Sequence, residues 1–234
     1  MRARYVTIPP VPAPVSVVIP SLDEQQHIGA AIDSAYAAGA AEVIVADGGS
    51  SDETIRAAES HRARIVLGQK MRARQLNRGA EAATQPSLIF LHADTLLPPG
   101  GAAAAHEALQ RVAFGGFRLR FAERALKLHL AAAMINLRTA ITRCPWGDQA
   151  QFVRRDDFLR DGGFREIPIM EDYELAVRMK TRARPAILPL PVTTSGRRFL
   201  EKGVLKTAAI NWRIVIAYRM GTDPDELAQM YRGL

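Results

Sequence analysis

Short apolar segments alternate with amphipathic segments through the first half of this 234-residue chain, and this alternation restricts the fold more than any other feature. The apolar segments lack polar alternation, as in parallel strands that are covered on both faces. The first amphipathic segment carries Ile28, Ala31, Ile32 and Ala35 at helical spacing. Such alternation predicts an open parallel sheet, which binds ligands at the carboxyl ends of its strands. The predicted strands are 15–19, 42–46, 64–67 and 87–91, and the predicted helices are 24–38, 51–61 and 71–84.

The second half of the chain has less regular strands and longer helices. Residues 185–192 are extended and rich in proline, which indicates an edge strand. The remaining predicted elements are strands over 114–121 and 149–154 and helices over 122–141, 170–182, 199–220 and 223–231.

These elements predict one α/β domain over residues 15–200, with a Rossmann-like, mostly parallel sheet and helices on both faces. A proline-rich extended leader over 1–14 is expected before it, and a helical tail over 201–234 after it. The tail is amphipathic and basic, so it could pack on the domain, on a second subunit or on a membrane.

Composition excludes several classes of protein. Hydrophobic residues at 48% rule out a disordered chain, and the single cysteine, Cys144, rules out a disulfide framework. No apolar run is long enough for a membrane-spanning helix. The net charge of +7 would suit nucleic acid, a phosphorylated substrate or an anionic membrane, but no nucleic-acid-binding motif is present. We expect a cytoplasmic protein, with peripheral attachment to the inner membrane face as an alternative.

Polar residues follow three of the predicted strands at the point where each strand ends. Pro20 to Glu24 follow the first strand, Asp47 to Asp52 the second, and His92 and Asp94 the fourth. Each group taken alone is explained by helix capping or a turn. Three carboxylate-bearing turns at one edge of a sheet instead favour a ligand site, where a carboxylate could hold a divalent cation that bridges phosphates.

Four motifs carry a resemblance to family 2 glycosyltransferases of the GT-A fold, over roughly residues 15–200. They are Pro-Ser-Leu-Asp-Glu at 20–24, Asp-Gly-Gly-Ser-Ser-Asp at 47–52, His-Ala-Asp at 92–94 and Glu-Asp at 171–172. The segments 72–77, 91–95 and 146–149 are also similar to a small bacterial subgroup described as radical-SAM- or selenodomain-associated transferases. The resemblance implies a nucleotide-binding half over 15–96 and an acceptor half over 97–200.

The resemblance also implies roles for individual residues. His92 and Asp94 correspond to the metal motif, but His92 replaces an aspartate, which favours Mn²⁺ over Mg²⁺. Residues of the nucleotide site would be Pro20, Glu24, Asp47, Arg72, Asn77 and Ala93. Residues of the donor-sugar or acceptor site would be Trp146, Gly147, Asp148, Gln149 and Glu171, with Arg197 and Arg198 at the diphosphate.

Sugar transfer with inversion needs a base that removes the proton of the acceptor hydroxyl, and Asp172 at a predicted helix start fits that role. The resulting hypothesis is a metal-dependent glycosyltransferase that uses a nucleotide-diphosphate sugar, most simply a UDP-sugar, and an unidentified hydroxyl acceptor. The alternatives are a non-catalytic nucleotide-sugar-binding protein, suggested by His92, and a nucleotidyltransferase. The turn at 20–24 argues against the latter, because it lacks the glycine and lysine of that class.

Overall fold

The computed structural model describes residues 12–232, and a mixed eight-stranded sheet lies at their centre. Most of the predicted leader therefore falls outside the described residues. The strands are β1 (Ala13–Ser21), β2 (Ala40–Asp47), β3 (Arg64–Leu67), β4 (Ser87–Phe90), β5 (Thr95–Leu96), β6 (Phe114–Phe121), β7 (Phe152–Arg154) and β8 (Ala186–Thr194).

Ten helices are present in the described part of the chain, together with a 3₁₀ turn at Gly147–Gln149. They are α1 (Ile28–Ala37), α2 (Thr54–Ser60), α3 (Arg72–Ala82), α4 (Gly101–Leu109), α5 (Leu126–Thr142), α6 (Arg155–Arg160), α7 (Glu171–Lys180), α8 (Arg197–Lys202), α9 (Val204–Arg219) and α10 (Pro224–Arg232). Within residues 12–232, no helix combines the length and the apolar character that crossing a bilayer requires.

The strand order is β3-β2-β1-β4-β7-β6-β8-β5. Strands β3, β2, β1 and β4 pair in parallel, which confirms the predicted βαβ half. Strand β7 pairs antiparallel with both β4 and β6, so it joins the two halves into one sheet. Strand β8 pairs with β6 along its length but with β5 only at Thr193 and Thr194, so most of it is an edge as predicted.

The hydrophobic core lies on both faces of the sheet, because successive β1 side chains point to opposite sides. Val17 and Ile19 pack on one side with Ile28 and Ile32 of α1, whereas Val18 packs on the other side with α3 and α7. Helices thus cover both faces, and the fold is the single α/β domain with a mostly parallel sheet that the sequence predicts.

Several boundaries differ from the sequence expectations. Helix α1 begins at Ile28 rather than at residue 24, because residues 22–27 form a turn that bonds to the loop after β2. The predicted strand over 149–154 shortens to β7, since Gln149 belongs to the 3₁₀ turn. The C-terminal helix is interrupted at Gly203, whose φ of 87° separates α8 from α9. Strand β5 and helices α4 and α6 were not predicted.

Candidate active site

The turns after β1 and β2 are fastened together by the Asp47 carboxylate. Asp47 is fully buried and accepts four hydrogen bonds, from the amides of Gly49 and Ser50 at 2.8 Å and from the hydroxyls of Ser21 at 2.9 Å and Ser50 at 2.5 Å. Burial alone would raise the pKa of Asp47, but the bonds from Ser50, Ser21 and Gly49 lower it below its ordinary value. The carboxylate organises this end of the sheet rather than offering a free acceptor to a ligand.

The residues after β1 are tied to the start of α2 by further hydrogen bonds. Asp23 accepts a bond from the Ser51 amide at 2.8 Å, and the Glu24 amide donates to the Thr54 hydroxyl at 2.7 Å. Asp23 adopts a left-handed conformation, with φ of 55°, that turns the chain at this point. The two turns therefore form one rigid wall beside the carboxyl ends of β1 and β2.

Helix α3 contributes one side chain to this wall and another to a different region. The buried Gln75 amide donates to the carbonyl of Ser21 at 2.7 Å and to that of Ala46 at 3.0 Å, so it joins the ends of β1 and β2. Asn77 exchanges two hydrogen bonds with the backbone of Phe164, both 2.8 Å long. Both ends of its amide are thus used inside the fold, and its contact with the nucleotide stays a prediction.

The 3₁₀ turn at Gly147–Gln149 is supported from beneath by Gln149, which is completely buried. Its carbonyl accepts bonds from the Thr139 hydroxyl at 2.8 Å and from Arg138 at 3.0 Å, and its amide donates to the Phe117 carbonyl at 3.0 Å. Arg138 also stacks on the Trp146 ring at 3.6 Å. Gln149 therefore holds the turn in place, and its contact with a sugar stays a prediction.

Gly147 lies beside both Asp172, the proposed base, and His92, which follows β4. The Gly147 amide donates to Oδ2 of Asp172 at 2.7 Å, while Oδ1 of Asp172 accepts from the Tyr173 amide at 2.7 Å. A methyl group added to Gly147 would stand 2.9 Å from Oδ2 of Asp172 and 3.0 Å from Nε2 of His92. Residues that are distant in sequence thus lie within 3.0 Å of one point beside Gly147.

Charge in the centre of this site is balanced by Arg72. Its guanidinium donates to the carboxylate of Glu171, which is 1% exposed. Burial opposes the charge on Arg72, but Glu171, Asp172 and Asp148 together raise its pKa. Glu171 is therefore paired with Arg72 inside the fold, and its contact with a sugar stays a prediction. Burial and the Arg72 charge lower the pKa of His92 to about 4, so its imidazole is neutral at pH 7.

Asp148 combines a buried carboxylate oxygen that lacks a partner in the described residues with a raised pKa. Its Oδ1 atom is buried and has no hydrogen-bond partner in the described part of the chain. Burial raises the pKa of Asp148 to about 6, against the opposing effect of Arg138 and with a contribution from Asp172. Buried acceptors normally have a partner, so a hydroxyl donated by a ligand would resolve this orphan oxygen.

Asp94 and Glu24 face each other across the ends of β4 and β1. Burial and the charge of Asp94 raise the pKa of Glu24, while His27 and Arg197 lower it, so these groups share one electrostatic environment. Arg197 is exposed and forms no ion pair within residues 12–232. The guanidinium of Arg198 lies 4.2 Å from the centre of the Tyr231 ring on α10, and its contact with a diphosphate stays a prediction.

The donor set at the end of β4 fits a cation that is shared with phosphate oxygens. Among residues 12–232, no group of three His, Cys, Asp or Glu side chains is arranged to hold a metal alone. Asp94 and the neutral His92 could supply two protein ligands, and Mg²⁺ in nucleotide sites characteristically takes one or two carboxylates plus phosphates. These residues therefore fit a divalent cation that arrives with a diphosphate.

The structure thus brings together a subset of the predicted residues. The charges of Asp94 and Arg197 act on Glu24, and the charges of Arg72, His92, Asp148 and Asp172 act on one another, so these residues make up the candidate site. Pro20 is the penultimate residue of β1, and Ala93 lies in the turn after β4. Sequence reasoning missed Arg138 and Tyr173, which position Trp146 and α9. Arg138 lies on α5 and Tyr173 next to Asp172, and neither is marked by a motif.

The sequence matches a family model described as "Glycosyl transferase family 2" over residues 16–152, more than half of the chain. A search of curated proteins gave no significant match. Among solved structures, a crystal structure of a mycobacterial protein is 22% identical with a TM-score of 0.56, and the alignment covers 78% of this chain and 65% of that chain. The chain therefore spans just under two thirds of that protein.

Two other solved structures have names that state a ligand. Glucosyl-3-phosphoglycerate synthase from Mycobacterium tuberculosis, in complex with phosphoglyceric acid, is 19% identical with a TM-score of 0.60, covering 89% of this chain and 80% of that one. S. aureus TarS 1-349 in complex with UDP-GlcNAc is 15% identical with a TM-score of 0.58, covering 77% and 58%. At these identities the similarity establishes the fold.

Proposed function

The chain belongs to glycosyl transferase family 2, and from this premise we propose that it transfers a sugar from a UDP-linked donor to an acceptor hydroxyl, with inversion at the anomeric carbon. The observation that carries this proposal is the convergence of Asp172 and His92 on Gly147, at the carboxyl end of β4. That edge of an open α/β sheet is where such folds bind their ligands.

Support for the donor comes from proteins with the same fold. The mycobacterial synthase has been solved with Mn²⁺ and UDP and with Mg²⁺ and UDP, and TarS with UDP-GlcNAc. We propose that the rigid wall made by the turns after β1 and β2 receives the nucleotide in this chain. Pro20 and Glu24 would line it, and Asp47 would hold its shape from behind.

Asp172 is the proposed general base. Its two oxygens are oriented by the amides of Gly147 and Tyr173, and each retains a second lone pair. The acceptor hydroxyl gives its proton to Asp172 while its oxygen forms a bond to the anomeric carbon. The bond from that carbon to the diphosphate oxygen breaks at the same time, and its electron pair leaves with the UDP. Such a positioned base contributes about 10²–10⁴-fold to the rate.

The cationic and sugar-binding groups follow from the same geometry. A divalent cation, when bound by Asp94 and His92, supplies charge stabilisation to the departing diphosphate. The charge of Arg197 lowers the pKa of Glu24, and Arg197 forms no ion pair in the described residues, so it is available for a phosphate oxygen. The orphan oxygen of Asp148 would accept a hydrogen bond from a hydroxyl of the donor sugar.

Calorimetric titration with UDP, with and without Mn²⁺, tests the nucleotide and cation parts of the proposal. We expect metal-dependent binding that Asp94→Ala abolishes. The matched control is Asp156→Ala, because Asp156 is 84% exposed on α6 and should leave the binding unchanged. Metal-independent binding would contradict the cation role of Asp94, and failure to bind UDP would contradict the donor assignment.

Hydrolysis of the UDP-sugar in the absence of acceptor tests the base, because water then takes the place of the acceptor hydroxyl. Asp172→Asn should lower the rate of UDP release by about 10²-fold or more and leave UDP affinity unchanged. A wild-type chain that binds UDP-sugar tightly without hydrolysing or transferring it would instead be a nucleotide-sugar-binding protein. An active Asp172→Asn variant would exclude Asp172 as the base.

A further inference from the structure

Helices α5 and α9 contact each other on the surface, and each exposes an apolar stripe to solvent. The α5 stripe recurs every three or four residues, and its members are between 56% and 76% exposed. Helix α9 adds three large apolar side chains, and Met220 directly after it adds a fourth; these four are between 51% and 82% exposed. We call these two stripes the docking face; its members are Leu126, Leu130, Met134, Leu137 and Ile141 on α5 and Leu205, Trp212, Ile216 and Met220 at α9.

These stripes are separate from the buried sides of the two helices. The opposite sides of the two helices are buried in the domain, at Leu128 and Thr139 of α5 and at Ile210 and Ile214 of α9. The helices are therefore anchored by one side while the other remains apolar and unpartnered in the described part of the chain. An exposed apolar surface of this extent marks an interaction site.

The charged residues of the two helices have a single sign. Neither α5 nor α9 contains Asp or Glu. Exposed cations flank the stripes, namely Lys127 on α5 and Lys206 and Arg213 on α9. A partner surface must therefore combine apolar depth with negative charge.

A basic cavity adjoins the end of the α5 stripe. It has a volume of about 410 Å³ and is lined by Ile141, the last member of the stripe, together with Arg143, Lys180 and Arg184. The Nε atom of Arg143 is buried without a hydrogen-bond partner in residues 12–232. Three cations around one opening fit a phosphate-bearing group.

We propose that the docking face binds the surface of an anionic lipid bilayer, with the stripes in the interfacial region and the basic cavity on a lipid phosphate. Basic residues beside an apolar helical stripe bind such surfaces, and Trp212 is of the type enriched at the membrane interface. A second copy of the chain is a poor occupant, because pairing two of these faces would bring cations together with no acid on either helix to neutralise them.

This orientation would also place the acceptor side of the active site near the bilayer, a consequence that rests on the proposed function. Arg138 of α5 stacks on Trp146, and Arg219 of α9 donates to the hydroxyl of Tyr173 at 2.6 Å. Tyr173 follows the proposed base Asp172. The two helices that present the docking face therefore also contact Trp146 and Tyr173 on the acceptor side.

Co-sedimentation of the full chain with vesicles tests the proposal. We compare vesicles of phosphatidylcholine alone with vesicles that also contain phosphatidylglycerol, at low and high salt. Binding is expected only with phosphatidylglycerol and should weaken with salt. Neutralising two cations in Lys206→Gln/Arg213→Gln should lower the apparent affinity by about 30-fold. The matched control is Arg56→Gln/Arg111→Gln, in which the side chains are 86% and 81% exposed elsewhere on the surface.

The apolar contribution is tested by Leu130→Ser/Leu137→Ser, which should lower vesicle binding at least about tenfold. Leu67→Ser is its control, because Leu67 is 62% exposed on the opposite edge strand β3. None of these residues touches the active site, so UDP binding and donor hydrolysis should stay at the wild-type level. This separates a failure of the docking face from a failure of the proposed function.

Two results would overturn the proposal. Wild-type protein that remains in the supernatant with phosphatidylglycerol vesicles at low salt would exclude lipid binding. Sedimentation equilibrium that shows a dimer, converted to a monomer by Leu130→Ser/Leu137→Ser, would identify a second copy as the occupant of the face.

Discussion

Replacement of Gly147 by alanine gives the sharpest test of the active-site geometry. The added Cβ would lie 2.9 Å from Oδ2 of Asp172 and 3.0 Å from Nε2 of His92, whereas ordinary contact begins at 3.4 Å. Relief of both contacts requires displacements of about 0.5 Å and 0.4 Å (3.4 − 2.9 and 3.4 − 3.0). Gly147 is not in the left-handed region, so the effect is steric and not one of backbone strain.

The magnitude follows from how steeply rate depends on position. A misplacement of about 1 Å in a catalytic site can cost about 10²-fold, so about 0.5 Å should cost roughly tenfold. That corresponds to about 1.4 kcal/mol in the activation free energy. The loss should fall on kcat for hydrolysis of the UDP-sugar, because the displaced group is the base. UDP affinity should change little, since the rigid wall that is proposed to receive the nucleotide is made by the turns after β1 and β2.

Gly68→Ala is the matched control. A Cβ on Gly68 meets no atom closer than 3.8 Å, although the residue lies near Asp47 and Arg78. This variant should therefore keep wild-type kcat. Equal activity of Gly147→Ala and Gly68→Ala would refute the assignment of Asp172 and its contact with Gly147. An equal loss of UDP affinity and kcat in Gly147→Ala would indicate a general collapse of the site instead.

Three further changes probe the interior of the site. Asp148→Asn should raise the melting temperature at pH 7 by a few degrees and have little effect near pH 4. The reason is that the pKa of Asp148 is raised to about 6 from an ordinary 3.8, so the wild-type protein loses stability as the pH rises between those values. An equal effect at both pH values would contradict this. Gln149→Leu leaves three buried groups without their partner, so urea denaturation should show a loss of about 1–3 kcal/mol, and a neutral result would argue against its supporting role. Glu171→Gln, which breaks the buried pair with Arg72, should lower the free energy of unfolding by about 1–2 kcal/mol. Glu166→Gln, which breaks an exposed pair with Arg74, should lower it by less than about 1 kcal/mol. Equal losses would mean that the Arg72 pair is no stronger than a surface pair.

The sequence predicts the βαβ half well because its strands are uninterrupted β-branched or aliphatic runs that only a doubly covered sheet accommodates. Helix α4 was not predicted because its buried residues Ala102 and Ala105 are the same residue type as the alanines on its exposed side, so no apolar periodicity marks it. Strand β5 has two residues and pairs only with Thr193 and Thr194, so it depends on a contact with a distant strand. Such elements are set by tertiary packing and leave no local pattern.

The site could be predicted in outline but not in detail. The motif at the end of the fourth predicted strand indicated Asp94, because parallel strands bring their carboxyl ends to one edge. The Glu-Asp motif at a predicted helix start indicated Asp172. The same motifs do not distinguish a polar residue that meets a ligand from one that holds the backbone. Asp47 and Gln149 hold the backbone partly through groups that are remote in sequence, namely the Ser21 hydroxyl and the Phe117 carbonyl. The role of Gly147 likewise arises only when β4 and α7 are packed together.

The cross-linked turns after β1 and β2 have a consequence for the thermodynamics of ligand capture. Their backbone loses its freedom when the chain folds, so the arriving nucleotide need not order the loop at Gly49 to Ser51. Association should then be fast and entropically inexpensive, and the amides of Gly49 and Ser50 should exchange slowly with solvent although they lie in a loop. The wall is therefore preorganised: it has its final shape before a ligand binds.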